Sequence, residues 1–382
     1  MDIIRIAIVG GGIGGMAAAL ALQRSGQQVV VYERSPQFRE IGAGLIITAN
    51  ARRALQALGV DEALAAISSC EPLHHTCNYA TGEVLRTLSN ESLRERFGLH
   101  TLGVHRADLH SVMRDAVQRN DPTCLRPGHA FVRLDQDPAG VTLAFENGAT
   151  DRVDVVIGAD GNASAVRSFL FPGEAPRFNG QVAYRALVPM DRVPAKLREL
   201  GMAMNPSPRR YLLHYPLRGG QIMNVIGCGQ SEGWEEEGWS IPAENEAFAT
   251  AYADFAPIIV ELIRAIPPGA LFKWGLRDRE PLADWVTGRV AMLGDAAHPM
   301  TPFLGQGACL ALEDAVLLGR AFAVAEHPEQ ALQRYEAARK TRGNGVQLAS
   351  REEGRALQDP SIARRSAVDR GLLEYDPATT PV

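Results

Sequence analysis

The sequence predicts an α/β fold, and three observations carry that prediction. Residues 3–9 are β-branched and mostly apolar, as expected of a strand buried on both faces. A glycine-rich turn and an alanine- and leucine-rich helical stretch up to residue 25 follow, and residues 28–33 then have the pattern of a second strand. Strand, turn, helix and strand within about 30 residues form a βαβ unit.

Composition excludes several classes of protein. The 382 residues correspond to two or three domains, and 46% apolar with 22% charged residues is the balance of an ordinary globular chain. A net charge of −5 provides no basic field for nucleic acid. Charges interrupt every apolar stretch before about 18 residues, so we expect no membrane span. Five scattered cysteines without a C-x-x-C pair predict neither a disulfide framework nor a metal site, and the charged start predicts no secretory signal. We therefore expect a cytoplasmic protein.

Further elements follow along the chain. Residues 73–104 show short alternating segments with few helix signals, and a small antiparallel element is expected over 129–158. More strands are expected at 182–189, 210–217, 221–228 and 270–277. Helices are expected at 106–119, 246–265, 308–325 and 329–356. The polar tail after Asp359 is expected to pack loosely.

The glycine-rich turn has the spacing of a dinucleotide-binding fingerprint. It reads Gly10-Gly-Gly12-Ile-Gly14-Gly15, directly after the first strand. Gly10 would form the tight turn, Gly12 would let the backbone approach a pyrophosphate, and Gly15 would permit close helix–strand packing. Glu33 ends the second strand, where a carboxylate accepts hydrogen bonds from a ribose diol and repels a 2′-phosphate. The alternative is a glycine-rich turn without a ligand.

Two later segments resemble motifs of one enzyme family. Residues 158–167 contain Asp160-Gly161 and end at Arg167, and residues 294–299 begin Gly294-Asp295. Together with the fingerprint, they resemble the three signatures of single-component FAD-dependent aromatic hydroxylases, typified by p-hydroxybenzoate hydroxylase. The sequence is most similar to the salicylate, 3-hydroxybenzoate and 6-hydroxynicotinate monooxygenases, over residues 3–345.

The resemblance implies a discontinuous Rossmann-type FAD-binding domain with an inserted mixed-sheet substrate domain and C-terminal helices. The FAD-binding parts would be residues 1–72, 105–172 and 280–345. The substrate domain would comprise 73–104 and 173–279, and a C-terminal helix and tail would occupy 346–382.

The resemblance also implies roles at a noncovalently bound FAD. Asp295 would bind the ribityl hydroxyls, Arg106 would face the phosphate and ribityl region, and the backbone of residues 305–308 would touch the pyrimidine end of the isoalloxazine. The residues assigned to the cofactor are Gly10, Gly12, Gly14, Gly15, Glu33, Arg34, Gly44, Arg106, Asp160, Asp295, Gly305, Gln306, Gly307 and Ala308. The alternatives are a helix-capping role for Asp295, a solvated Arg106, and a simple turn at Asp160-Gly161.

The implied activity is hydroxylation, with or without decarboxylation, of a phenolic or hydroxypyridine carboxylic acid. NAD(P)H would reduce the flavin, and O2 would form a C4a-hydroperoxide that the electron-rich ring attacks. The chain shows no second dinucleotide fold, so NAD(P)H would bind transiently at a surface groove. The protein is expected to be a monomer or a homodimer. A member oxidising urate-like or alkene substrates, and a non-catalytic FAD redox sensor, are the alternatives.

Substrate contacts are expected from the middle of the chain. Alternation places Tyr211 and Tyr215 on one strand face and His214 on the other. The His214-Tyr215-Pro segment resembles one that carries a pocket histidine, so His214 would take the phenol proton and Tyr215 would line the pocket. Arg185 would bind the carboxylate bidentately. The alternative for His214 is a structural sheet histidine. Ile46 stands where hydroxynicotinate-type enzymes carry a histidine, which disfavours that substrate.

Overall fold

Two large sheets organise the chain, one of six strands and one of eight. They are seen in a computed structural model that describes residues 2–38, 43–231, 234, 238, 240–359 and 361–382. The strands are β1 (Arg5–Val9), β2 (Gln28–Glu33), β3 (Gly44–Ile47), β4 (Leu73–Cys77), β5 (Val84–Ser89), β6 (Leu102–His105), β7 (Leu125–Pro127), β8 (Phe131–Asp137), β9 (Gly140–Phe145), β10 (Thr150–Val153), β11 (Val155–Gly158), β12 (Arg177–Pro189), β13 (Met202–Ser207), β14 (Arg210–Leu217), β15 (Ile222–Gln230), β16 (Ile241–Pro242), β17 (Leu271–Asp278), β18 (Val286–Thr287) and β19 (Val290–Met292). The helices are α1 (Ile13–Arg24), α2 (Ala49–Ala57), α3 (Asp61–Ala65), α4 (Asn90–Phe97), α5 (Arg106–Asn120), α6 (Ala165–Leu170), α7 (Ala195–Leu200), α8 (Asn245–Ala251), α9 (Pro257–Arg264), α10 (Gly307–Val324) and α11 (Pro328–Gln358).

The six-stranded sheet gathers the three sequence motifs at one edge. Its order is β18-β19-β11-β1-β2-β7, and β19, β11, β1, β2 and β7 run parallel. The glycine turn follows β1, Asp160-Gly161 follows β11, and Gly294-Asp295 follows β19. Because the carboxyl ends of parallel strands share an edge, the motifs meet although they are far apart in sequence. Helices α1 and α10 pack against each other beside this sheet.

The eight-stranded sheet is mixed and draws on two parts of the chain. Its order is β16-β17-β12-β15-β14-β13-β4-β5, and β13 with β4 is a parallel pair in an otherwise antiparallel sheet. Strands β4 and β5 come from the segment 73–104, and β12 to β17 come from 173–279. The α/β fold class is confirmed, and the domain boundaries stay a prediction.

The two faces of the eight-stranded sheet pack differently. On one face, Leu212 and Val225 join a core with Phe248 of α8 and Ile259 of α9. On the other, Tyr211, Cys228 and Trp274 pack with Leu357 and Phe303, which stands just before α10. We call this second side the cavity face and the first the helix face. The ribbon of β3 and β6 reaches the cavity face, where the Gly44 N–H donates to Asn224 Oδ1 over 2.9 Å.

Most elements lie where they were expected, with three corrections. The helix expected at 246–265 is two helices, because Pro257 begins α9 and cannot continue α8. The segment 73–104 contains the helix α4, which Ser89 caps by accepting from the Ser92 N–H. The expected element over 129–158 is a three-stranded antiparallel sheet of β8, β9 and β10, but β11 joins the parallel sheet.

The C-terminal tail is well anchored, so the expectation of loose packing is wrong. Arg53 donates to the carbonyls of Leu373 and Tyr375 over 2.8 and 3.0 Å. Arg320 binds the Pro377 carbonyl over 2.7 Å, and Arg334 binds the Val382 carbonyl over 3.0 Å. Arginine side chains from three helices therefore hold the tail by its backbone.

Candidate active site

The turn between β1 and α1 requires glycine at two positions. Gly10 has φ +107°, and a Cβ there would lie 2.5 Å from the Ala159 carbonyl oxygen at the end of β11. A Cβ at Gly15 would lie 1.9 Å from the Gly10 carbonyl oxygen. A side chain at Gly10 would push the turn away from the end of β11, and one at Gly15 would push α1 away from the turn. Without side chains at these positions, a ligand can approach the backbone of the turn closely.

The N-terminus of α1 is open to an anion, whereas Gly14 serves packing. Gly12 is the N-cap residue and offers no capping side chain, so the first N–H groups of α1 are available to a pyrophosphate. A Cβ at Gly14 would lie 3.0 Å from Leu293 and 3.5 Å from Ala311. This glycine lets α1 approach β19 and α10, which explains its presence without a cofactor contact.

The Glu33 carboxylate is fixed against the glycine turn. Its Oε2 accepts from the Gly11 N–H and its Oε1 from the Ser35 N–H, both over 2.8 Å. Each oxygen keeps a lone pair for a ribose hydroxyl. His110, which sequence reasoning missed, donates from Nε2 to the Gly11 carbonyl over 2.7 Å. Arg34 is exposed beside this site. A cavity of about 400 Å³ lies nearby, lined by Gln37, Phe38, Arg114, Gln118, Leu125 and Pro127.

The Asp160-Gly161 segment acts as a structural support in this fold. The Asp160 carboxylate accepts from Ser164 Oγ over 2.5 Å and from the Ala165 N–H over 2.7 Å, so it assists the N-cap residue Ser164 at the start of α6. Arg167 is fully buried and donates to the carbonyls of Ala296 and Ala297 over 3.2 and 3.1 Å. The segment thereby holds the Gly294-Asp295 turn in place. A contact of Asp160 with the cofactor stays a prediction.

Asp295 faces the beginning of α10. A Cβ at Gly307 would lie 3.7 Å from Asp295 Oδ1. The side chain is accessible to solvent, but protein atoms surround it closely. That enclosure raises the pKa of Asp295, and the positive charge of Arg106 opposes the rise. A carboxylate held in this way suits hydrogen bonds from hydroxyl groups.

The turn 305–308 presents its backbone, because its one polar side chain points inward. Gly305 has φ +64°, and Gln306 is the N-cap residue of the 18-residue helix α10. Gln306 Oε1 accepts from Asn50 Nδ2 over 2.9 Å, and its Nε2 donates to Thr48 Oγ1 over 3.1 Å. The N–H groups at the start of α10 remain available, and a helix N-terminus favours negative charge.

These groups together fit an extended dinucleotide. The glycine turn suits a pyrophosphate, and Glu33 and Asp295 offer oxygens for two sets of hydroxyl groups. The helix α10 begins beside Asp295, where the ring system that follows a ribityl chain would lie. Arg106 begins α5, and its N–H donates to the Ala43 carbonyl over 2.8 Å. The residues present therefore fit FAD.

Arg185, Tyr211 and Tyr215 share the cavity face. Strand register places Arg185 opposite Ile226 and Ile226 opposite Leu213, which lies between the two tyrosines on β14. The Arg185 guanidinium lies 5.1 Å from the Trp274 ring centroid, and its charge interacts with that of Arg106. A Cβ at Gly44 would lie 2.6 Å from Tyr215 Oη. Substrate-side and cofactor-side residues are thus brought together.

The tyrosines of this face are hydrogen-bond donors and not bases. Burial raises the pKa of both Tyr211 and Tyr215, and the charge of Arg185 opposes the rise. Burial lowers the pKa of Arg185, but a guanidinium does not lose its proton in proteins. The face therefore offers one fixed positive charge and two protonated phenols.

His214 lies on the helix face, so its assignment as the substrate base is wrong. It is fully buried, and its Nδ1 donates to the Gly201 carbonyl over 3.0 Å. Its neighbours on that face belong to the core around α8 and α9. Burial lowers the pKa of His214 to about 4. The alternative, a structural sheet histidine, agrees with this position.

Sequence reasoning missed two polar residues on the cavity face. Asn224 is fully buried, and its Nδ2 has no hydrogen-bond partner within the described residues. His74 pairs with Met202 and thus faces the same side as Tyr215, two strands and about 10 Å away. Its Nε2 also has no partner in the described part of the chain, and burial lowers its pKa to about 4. In the sequence, only the alternation of strand residues could have indicated this position, because it places His74 and His75 on opposite faces of the sheet.

A model of the FAD-binding domain family matches residues 4–350. The chain belongs to this family. It is 36% identical to the 3-amino-4-hydroxybenzoate 2-monooxygenase PtnB3 of Streptomyces platensis, over 96% of this chain and 92% of the relative. It is 36% identical to the 3-hydroxybenzoate 6-hydroxylase of Polaromonas naphthalenivorans, over 94% of this chain and 89% of the relative. The structure of Klebsiella pneumoniae HpxO with FAD and uric acid superposes with a TM-score of 0.84 at 26% identity, covering 99% of this chain and 97% of HpxO.

The family and the relatives together confirm several predictions. The chain is an FAD-dependent monooxygenase of the aromatic hydroxylase type, with NAD(P)H and O2 as co-substrates. The roles of individual site residues stay predictions.

Within the described residues, no helix combines the length and apolarity needed to cross a membrane. The same residues contain no group of three or more His, Cys, Asp or Glu side chains placed to hold a metal ion.

Proposed function

We propose that this monooxygenase hydroxylates an aromatic ring bearing a hydroxyl group and a carboxylate. The observation that carries the proposal is Arg185 on the cavity face. Its guanidinium is half-buried against Trp274, and its Nε has no hydrogen-bond partner within the described residues. A cation whose Nε is withdrawn from water in this way is stabilised by an anion, and the planar guanidinium matches a carboxylate bidentately.

The remainder of the cavity face suits the aromatic ring. Tyr211 and Tyr215 supply apolar ring surface and, because burial raises their pKa, protonated hydroxyl groups. A Tyr215 hydroxyl that donates to the substrate oxygen would orient the ring and stabilise its phenolate form. The two relatives named above are a 3-amino-4-hydroxybenzoate and a 3-hydroxybenzoate hydroxylase, which supports a phenolic acid.

The division of labour follows from these positions. Bound FAD supplies reduction by NAD(P)H and the activation of O2. The chain binds the carboxylate at Arg185, holds the ring hydroxyl near Tyr215 and limits the access of water to the cavity face. The proposal includes a cytoplasmic enzyme, where NAD(P)H is available, acting as a monomer or homodimer.

A substrate panel tests this proposal. NADH and NADPH consumption and O2 uptake would be measured with hydroxybenzoates, hydroxynicotinate, urate and the matching phenols, and products would be identified by mass. We expect a hydroxybenzoate to stimulate consumption and to gain one oxygen atom. Turnover of urate alone would instead favour the urate-oxidising alternative, and no stimulated O2 uptake with any compound would favour a redox sensor.

A further inference from the structure

We propose that the C-terminal segment, residues 371–382, is part of the FAD site. The geometry points to a relay in which Tyr375 holds Arg342, Arg342 holds Glu313, and Glu313 fixes Gln306 through Asn50. These are positioning residues, because they act through the backbone of the turn 305–308. The inference rests on the proposed FAD-dependent hydroxylation and on the placement of the isoalloxazine at that turn, which the family resemblance implies.

The relay begins where the tail covers α11. The Tyr375 ring centroid lies 4.0 Å from the Arg342 guanidinium and 5.1 Å from that of Arg339. Arg342 also donates from Nη2 to the Leu372 carbonyl over 3.1 Å. The tail thus contacts Arg342 twice, by a cation–π interaction and by a hydrogen bond. Tyr375 Oη is buried without a hydrogen-bond partner in the described part of the chain, so the ring and not the hydroxyl makes this contact.

The second step crosses from α11 to α10. Arg342 donates from Nε and Nη2 to the two oxygens of Glu313, each over 2.8 Å. Glu313 is fully buried and is also paired with Arg339 over 2.8 Å. A buried carboxylate that loses one cationic partner is strongly destabilised, so the orientation of Glu313 depends on Arg342 remaining in place.

The third step reaches the FAD site. Asn50 Nδ2 donates to Glu313 Oε1 over 2.7 Å and to Gln306 Oε1 over 2.9 Å. Thr48 Oγ1 closes the chain by donating to Asn50 Oδ1 over 2.6 Å and accepting from Gln306. Asn50, Gln306 and Glu313 are at most 1% exposed. In such a low-dielectric network each hydrogen bond depends on the others, so a displacement of Arg342 alters the hydrogen bonds of the Gln306 side chain.

Gln306 converts this network into a position for the flavin. Its backbone carbonyl accepts a hydrogen bond from the Leu310 N–H over 2.8 Å, in the first turn of α10. The next residue is Gly307, which lies beside Asp295. Because side-chain bonds to Asn50 and Thr48 anchor residue 306, a displacement of Gln306 moves the backbone N–H groups that we place against the pyrimidine end of the isoalloxazine. A tail that served only stability would not alter those groups.

The test compares Tyr375→Ala with Tyr375→Phe in the full-length protein. Tyr375→Ala should weaken FAD binding about three- to tenfold and shift the absorption bands of the bound flavin, because the cation–π contact is lost. Tyr375→Phe keeps the ring and should match the wild type in both measurements. Asn50→Ala should produce the same spectral shift, and its effect on the FAD Kd should not add to that of Tyr375→Ala.

The outcomes separate the relay from the flavin placement. If Tyr375→Ala lowers the Tm but leaves the FAD Kd and spectrum unchanged, the tail is only a stabilising strap and the relay is overturned. Gln306→Ala serves as the reference. If it leaves the flavin spectrum unchanged, the placement of the isoalloxazine at 305–308 is wrong. If Gln306→Ala shifts the spectrum and Tyr375→Ala does not, the placement stands and the relay fails.

Discussion

The cavity face and the helix face are built by the same strands but have different chemistry. Tyr215 and His214 are neighbours on β14, yet Tyr215 lies against Gly44 on the cavity side while His214 is enclosed with the α8 and α9 core. Both faces hold buried polar atoms without partners in the described residues, namely Arg185 Nε and Asn224 Nδ2 on the cavity face and His214 Nε2 on the helix face, where His214 Nδ1 binds a carbonyl. Residue type alone therefore does not indicate a functional side chain. The face on which the side chain lies decides what it can do.

The largest effect should appear on the helix face, in stability. His214 has its pKa lowered from 6.5 to about 4 by burial, so the unfolded chain binds a proton more readily than the folded one between these values. The free energy of unfolding should therefore fall as the pH drops from 6.5 towards 4, by about 3 kcal/mol for this residue. His214→Gln should flatten this part of the profile, measured by urea unfolding at several pH values. An unchanged profile would show that His214 is not enclosed as the structure describes.

A second large effect should arise at the strand ends of the six-stranded sheet. Asp295→Ala and Glu33→Arg each remove a carboxylate that we place on FAD hydroxyl groups. Loss of one such charged hydrogen-bonding partner costs roughly 1.5–3 kcal/mol, or about ten- to a hundredfold in the FAD Kd. Fluorescence titration of the apoprotein measures it. Gly345→Ala, on the exposed side of α11 where an added Cβ meets nothing within 4 Å, is a control expected to leave the FAD Kd unchanged. Wild-type affinity in either carboxylate variant would show that its residue is misplaced.

The smallest effect should distinguish the two neighbours on β14. Tyr215→Phe removes one donor to the substrate oxygen, so hydroxylated product per hydrogen peroxide should fall about two- to tenfold. His214→Gln should leave that ratio unchanged, because its side chain does not reach the cavity. The ratio is read from product and peroxide yields at saturating substrate. A fall in His214→Gln with no change in Tyr215→Phe would reverse the two faces.

The FAD side of the molecule could be predicted from sequence, because its signals are local. The spacing of Gly10 and Gly15 fixes the turn, and Glu33 ends the next strand of the same βαβ unit. The substrate side depends on register between distant strands. Alternation alone separated His214 from Tyr215, but nothing in the sequence indicated which face meets the FAD-binding sheet. The family resemblance assigned the role of substrate base to His214, which lies on the other face.

Other features were invisible because they join distant residues. Asn50 binds Gln306 across 256 positions, and no local pattern marks that pair. The anchored tail was missed because its partners are arginines that bind backbone carbonyls, which composition does not reveal. The division between α8 and α9 could have been predicted, since Pro257 begins α9.

The measurement that tests the central claim most directly is the role of Arg185 in substrate recognition. KM and kcat would be compared for a hydroxybenzoate and for the matching phenol, in wild type, Arg185→Lys and Arg185→Gln. Loss of the guanidinium should raise KM for the acid about ten- to a hundredfold and leave the phenol and the FAD Kd unchanged, with Arg185→Lys in between. An equal change for acid and phenol, or none for the acid, would contradict the recognition of a carboxylate on the cavity face.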